Sequence, residues 1–274
     1  MRPWVTLALW SCLLARSAAR MAPRRSGSAR PPPAVNQTLV FSALYLSLGC
    51  ASPVELFAQG STRGSKMGPG SPQHRVLTSR ELRRGRKCFV ETGTNKGDST
   101  LAVAPFYPAV TTIEKFEPVF RSSRARIKGD PAGASINSLL GDTVDRLPEV
   151  VGAAPHFAAC VFWLDAHNTY GIEGWAASPV NPILRELSII MAARRSQESH
   201  IVLDDYRLFG VNDSVSLSPA ARKRYAPYPS AAAVRDLVCA QWPKAQFLVG
   251  LDTMHVSLGA GKGHQLPLDN LTVA

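Results

Sequence analysis

From Cys88 to Thr100 the chain reads CFVETGTNKGDST. A short apolar run closes on the acid Glu91, then Gly93 and Gly97 follow, and small polar residues lead into LAVA. A run of this length without alternation suits a strand covered on both faces of a sheet. Gly93 lets the chain turn tightly, and Gly97 lets a ligand approach the backbone. Gly97-Asp98-Ser99 also reads as a plain turn and helix cap. The pattern is ExGxxxGxS rather than the GxGxxG of a dinucleotide turn. An acid beside the turn repels a pyrophosphate but attracts a cation or an amino group.

Working outward, similar runs recur: AVTTIE, ASINSLL, ACVFWLD and HIVLDD. Between them lie helix-length segments beginning at Asp98, Pro118, Thr143 and Pro179. Strands alternating with helices predict a parallel α/β sheet with helices on both faces. In SPVNPILRELSIIMAARR, the residues Ile183, Leu184, Leu187, Ile190 and Met191 form one apolar helix face. After the helix-like YPSAAAVRDLVCAQWP come AQFLVGL and MHVSL, separated only by Asp252 and Thr253. That spacing predicts an antiparallel hairpin at the sheet edge.

Ligands of open α/β sheets bind outside the carboxyl ends of the strands, so chemistry is sought there. Glu114 ends the second run, about 20 residues past the first turn, where a ribose diol is held. Asp142, in LLGDT, is placed either to accept from an adenine amino group or to cap the next helix. Asp165 ends FWLD, and Asp204 and Asp205 end IVLDD. Three carboxylates converging on one edge repel one another unless a hard cation such as magnesium neutralises them. The alternative has Asp205 capping a loop and Asp165 bonded to backbone amides. His167 is a candidate general base beside Asp165, or a structural or substrate-positioning histidine.

FVETGTNKGDSTLAVA, TIEKFEP, LLGD, FWLDAH, PILREL and IVLDDYRLFG, in this order, resemble the class I S-adenosylmethionine-dependent methyltransferases. The likeness is to a branch whose fourth and fifth strands end in WLDAH- and IDDAR-like motifs, and it covers residues 86–259. It implies a Rossmann-like seven-stranded sheet, mostly parallel, with an antiparallel terminal hairpin. Glu91, Thr92, Gly93, Thr94, Gly97 and Ser99 would then surround S-adenosylmethionine, with Glu114 on the ribose and Asp142 near the adenine. In related metal-dependent O-methyltransferases, acids at the positions of Asp165, Asp204 and Asp205 bind magnesium. The implied catalytic residues are Asp165 and His167, and the implied reaction is methyl transfer to a hydroxyl of a small molecule or glycan. Two departures stand out: Tyr206 replaces an alanine usual in that branch, and the loop Asn168 to Asn181 lacks a glycine-rich start. That loop, with Tyr170 and Trp175, is expected to cover the acceptor. LDAHNTY replaces the Asn/Asp-Pro-Pro-aromatic motif of amino-group methylation, which ranks N-methyl transfer lower. A non-catalytic cofactor-binding module and an NAD-dependent oxidoreductase are the competing functions.

Of the 274 residues, the first 87 carry 14 Lys/Arg against 2 Asp/Glu, and the rest carry 17 against 18. The net charge of +11 therefore belongs to the N-terminal region, and no basic nucleic-acid groove is expected in the folded domain. Residues 1–20, with WVTLALWSCLLA, read as a secretory signal peptide or, as the close competitor, an organelle transit peptide. Residues 21–80 read as a flexible basic leader rich in Pro, Gly and Ser. Within it, Leu39 to Cys50 is either a membrane anchor or a helix packed on the domain. Residues 81–260 are the expected methyltransferase domain, and 261–274 a tail. Sequons at Asn36, Asn212 and Asn270 fit a lumenal protein, so the secretory pathway is favoured over organelle import. Five cysteines without CxxC spacing suggest buried thiols at Cys88 and Cys160 rather than disulfides or a zinc site.

Overall fold

The computed structural model describes residues 45–52, 67–153, 159–166, 181–193, 199–209 and 228–258. Its centre is a sheet of eight strands: β1 (Tyr45–Gly49), β2 (Cys88–Thr92), β3 (Ala109–Glu114), β4 (Ile136–Leu140), β5 (Cys160–Leu164), β6 (His200–Leu203), β7 (Gln246–Gly250) and β8 (Thr253–Ser257). They lie in the order β1-β7-β8-β6-β5-β2-β3-β4. The five strands β2 to β6 are parallel, β8 runs antiparallel between β6 and β7, and β1 pairs antiparallel with β7. The hairpin is where the sequence places it. However, β7 is not the sheet edge, and the strand count is eight rather than the seven expected.

The added strand comes from the run read as an anchor or a packed helix. Without β1, the outer side of β7 would expose a row of unpaired amides and carbonyls. Pairing from Tyr45↔Gly250 to Gly49↔Gln246 removes that edge, and Leu48 is buried in the core. Part of the expected leader is therefore built into the domain. Among the described residues no helix is long and apolar enough to cross a membrane.

The described α-helices are α1 (Pro72–Leu77), α2 (Arg80–Arg83), α3 (Asp98–Val103), α4 (Glu117–Gly129), α5 (Thr143–Gly152), α6 (Ile183–Ala192) and α7 (Ala231–Gln241). Side-chain oxygens of Ser71, Asp142 and Ser230 cap α1, α5 and α7 by accepting early backbone amides. The central strands β2, β5 and β6 are buried along their whole length because both faces are covered. Val90, Phe162, Ile201 and Leu203 face a core with Ile183, Leu187, Val234 and Val238 from α6 and α7. Phe89, Val161, Trp163 and Val202 face the opposite core, with Leu77, Leu82 and Val103. On α6 the expected face is buried except Leu184, which is half-buried, while Glu186 joins that face with no exposure.

The cysteines correct the sequence reading. Cys50 is disulfide-bonded to Cys239 on α7, and Cys88 to Cys160, with Cα–Cα separations of 5.7 and 4.7 Å. Cys88 and Cys160 are register partners on β2 and β5, neighbours that only the sheet order brings together. Their sequence separation of 72 residues, and that of 189 for the other pair, left no spacing signature. Long loops make the largest reduction in unfolded-chain entropy when closed. Cys50→Ser is expected to lower denaturant stability by about 2–4 kcal/mol under oxidising conditions. The difference from the parent protein should vanish in dithiothreitol, as equilibrium unfolding would show.

Candidate functional site

Because β2 to β6 are parallel, their carboxyl ends share one edge, and the β7–β8 turn at Leu251 and Asp252 lies on that edge too. The sequence-predicted residues gather there in two groups.

The first group is the turn after β2. Glu91 has no exposure, and its carboxylate accepts from the hydroxyls of Ser99, Thr100 and Thr112, the last at 2.6 Å. Thr112 gives its only proton to Glu91, so the 2.6 Å contact between Thr94 and Thr112 has Thr94 as donor. Burial pushes the Glu91 carboxyl above its ordinary value, against the pull of those hydroxyls. Thr92 and Thr94 are likewise buried, while Asn95 and Lys96 of the same turn are exposed. Gly93 has φ +84°, and a Cβ there would lie 2.4 Å from the Asp165 carbonyl oxygen. Only glycine fits between the two strand ends. Gly97, which precedes α3, is left-handed at φ +77°, and that backbone rather than crowding favours glycine there.

Glu114 is 3% exposed and holds this turn from the next strand. One carboxylate oxygen accepts the Asn95 amide at 2.9 Å, the other the Phe116 amide at 2.9 Å. An ionised carboxylate has about four acceptor positions, so each oxygen keeps one for a ligand hydroxyl. The amides of Gly93 and Thr94 donate to Ile113, and that of Gly97 to Thr94. With Asn95 bonded to Glu114, none of these four amides is available to a pyrophosphate. Asp142 caps α5 through Val144 and accepts Lys115 at 2.7 Å. Burial opposes its charge, but Lys115, the Val144 amide and Arg185 outweigh burial and hold the carboxyl below its ordinary value.

The second group is the acidic edge. Among the described residues, Asp204, Asp205 and Asp252 each offer an oxygen within 4.8 Å of the others. Asp165 is half-buried and stands outside that trio, although it feels the charges of Asp204, Asp205 and Glu91. Burial, and then those charges, raise its carboxyl well above the ordinary range. Burial and Asp205 do the same to Asp204, whose Oδ1 is buried without a hydrogen-bond partner. Arg207 donates to Asp205 at 2.6 Å and to Asp252. The orphaned oxygen and the all-carboxylate donor set fit a small, hard divalent cation, held by Asp204, Asp205 and Asp252. His167, Tyr170 and Trp175 lie outside the described residues.

Sequence reasoning missed Asp252, which read only as a hairpin spacer, and Arg207, which read only as part of a motif. It also missed Tyr228, which is buried before α7 within the field of Asp205, Asp165 and Asp204. Glu186 was hidden by its apolar neighbours. Burial pushes its carboxyl up to about 7, with Thr143 and Thr92 pulling it down and Asp142 pushing it up.

The chain has the class I methyltransferase fold. The O-methyltransferase TomG from Streptomyces achromogenes, involved in tomaymycin synthesis and solved in complex with SAM, superposes with a TM-score of 0.50. The two are 18% identical over 71% of this chain and 82% of that one. The SAH-bound methyltransferase PaMTH1 from Podospora anserina gives a TM-score of 0.52 at 15% identity, covering 85% of this chain and 99% of its own. No family model and no curated protein sequence matches the chain.

Glu186 yields a pH prediction. A carboxyl raised in the folded state disfavours folding once the unfolded group ionises, and the loss grows until pH passes the folded value. Glu186→Gln should therefore gain stability over the parent protein as pH rises from about 5 to about 7, and match it near pH 4. Melting temperatures across that range check the sign.

Proposed function

We propose that this chain is an S-adenosylmethionine-dependent O-methyltransferase acting on a hydroxyl of a small molecule or glycan. The observation that carries the reading is the meeting, at one sheet edge, of two features. One is a turn in which the amides of Gly93, Thr94, Asn95 and Gly97 are already bonded within the protein, and the other is a buried acidic cluster with an unsatisfied Asp204 oxygen. The class I fold of SAM- and SAH-bound enzymes supports it.

Glu114 accepts the ribose hydroxyls with the lone pairs its two backbone bonds leave open. Gly93 lets the cofactor come close to the chain, and the Glu91 hydroxyl network keeps that turn in one conformation. Asp165, pressed against Gly93, stands between the methyl donor and the acidic edge. A divalent ion at Asp204, Asp205 and Asp252 would supply positive charge that lowers the pKa of an acceptor hydroxyl. Asp165, with its elevated carboxyl, takes the hydroxyl proton, and His167 is a second acceptor for it. The acceptor oxygen forms the new bond to the methyl carbon as the carbon–sulfur bond breaks. Its electron pair stays on sulfur, giving S-adenosylhomocysteine, and no covalent enzyme intermediate is needed.

Two disulfides support folding in an oxidising compartment, and with the sequons they favour the secretory pathway over organelle import. A soluble hydroxylated metabolite or a glycan in that pathway is the substrate class this implies.

Isothermal titration should show S-adenosylmethionine or S-adenosylhomocysteine binding, weakened at least about tenfold by Glu114→Ala. Binding of NAD instead would remove the methyltransferase reading. Asp204→Ala is expected to abolish methyl transfer while leaving cofactor affinity within about twofold, because Asp204 is absent from the cofactor turn. Full turnover in excess chelator would exclude the metal.

A further inference from the structure

Among the described residues, the carboxylate trio already holds a cation of its own. The same Arg207 Nη1 donates to Asp205 Oδ1 at 2.6 Å and to Asp252 Oδ2, and the Arg207 amide donates to Asp252 Oδ1 at 3.0 Å. Asp252 has no exposure, and the Arg207 side chain is 19% exposed. This guanidinium is part of the wall of the site rather than a mobile surface charge. Arg207 reaches Asp205 and Asp252, while Asp204 Oδ1 is left without a hydrogen-bond partner.

A divalent ion bound by the trio needs one oxygen from each acid. Asp204 offers its orphaned oxygen at no cost in broken bonds. Asp205 carries Arg207 on its Oδ1, and Asp252 carries it on its Oδ2, so an ion bound at the trio would share these acids with a positive charge already in place. A guanidinium and a metal ion cannot both sit close among these carboxylates without repelling each other.

We propose that Arg207 is the resident counter-cation of the Asp204–Asp205–Asp252 cluster and sets its affinity for a divalent ion, which binds by displacing the guanidinium. The inference rests on the metal part of the function proposed above and is independent of methyl transfer. It makes the metal weakly held and exchangeable, with Arg207 keeping the buried acids compensated when the ion is gone. Asp252, from the β7–β8 hairpin, becomes a ligand in addition to the two acids that follow β6. Arg207 acts here as a positioning residue through the acids it holds.

The test is calorimetric titration of Mn2+ alone into the full chain, with melting temperatures in chelator and in saturating Mn2+. Arg207→Gln should melt lower than the parent protein in chelator, bind Mn2+ at least tenfold more tightly, and recover more of its melting temperature when the ion is added. A purely structural arginine would lower stability in both conditions without tightening the ion. Arg207→Lys keeps the charge but cannot reproduce the planar guanidinium contacts, so it should fall between the two, and it serves if the glutamine variant does not fold. Asp204→Asn should weaken Mn2+ binding at least tenfold. The proposal is overturned if neither Arg207 variant binds Mn2+ more tightly than the parent, or if Asp204→Asn leaves its affinity unchanged. S-adenosylhomocysteine titrated into the same proteins tests the methyltransferase reading separately: its failure to bind would sink that reading and leave the Mn2+ result standing.

Discussion

Glu91 is a carboxylate with no water to turn to. It sits at the carboxyl end of β2 with no exposure, and every stabilising contact it makes comes from a hydroxyl of the protein. Those hydroxyls belong to three places: Ser99 and Thr100 in the first turn of α3, Thr112 in β3, and Thr94 through Thr112. The acid therefore fixes the distance from strand to helix and from strand to strand around the turn it precedes. Removing it would leave several buried hydroxyls unsatisfied together, and each such group costs about 1–3 kcal/mol. Gly93 adds a steric constraint to this electrostatic one, since the Asp165 backbone fills the space a side chain would need. The turn is thereby locked to the end of β5, the strand that carries the first acid of the second group.

That junction explains how the two halves of the site communicate. Asp165 feels Glu91 on one side and Asp204 and Asp205 on the other. With Asp252 beyond, a row of acids runs along the carboxyl edge of the sheet, from the turn after β2 to the hairpin. Buried acids in a row raise one another, and Arg207 donates to the two nearest the hairpin.

Much of this was legible in the sequence because it depends on local pattern. The five parallel strands, the helix starts at Asp98 and Thr143 and the terminal hairpin all follow from short apolar runs and their breaks. Glu114, Asp165, Asp204 and Asp205 followed from one rule, that acids ending such runs share an edge. What remained hidden depends on sheet order, which no window of sequence contains. Cys88 meets Cys160 only because β5 lies beside β2. Asp252 joins Asp204 only because β8 inserts between β6 and β7, turning the hairpin tip toward the acids. Glu186 was masked by the helical face it shares, where a single acid among Ile183, Leu187 and Ile190 looks like a surface residue. β1 was misread because five residues are too few to separate a strand from the end of a helix by periodicity.

The position of Asp252 also changes what the N-terminal segment does. Of the four non-glycine residues with left-handed backbone among those described, Asp205, Leu251 and Asp252 border the acidic cluster, and Asn95 lies in the turn after β2. Asparagine and aspartate tolerate this conformation; Leu251 does not, and holding it there costs about 1–2 kcal/mol. The surrounding structure supplies the restraint. Gln73 of α1, almost fully buried, donates to the Leu251 carbonyl at 2.9 Å, and the Tyr206 amide donates to the Asp252 carbonyl at 2.9 Å. β1 pairs with β7 up to Gly250, the residue before the turn, and Cys50 secures that strand to α7. Two pieces of the stretch that reads as a leader thus brace a strained hairpin whose tip carries a candidate metal ligand. Within the stretch before residue 81, β1 and α1 belong to the support of the site.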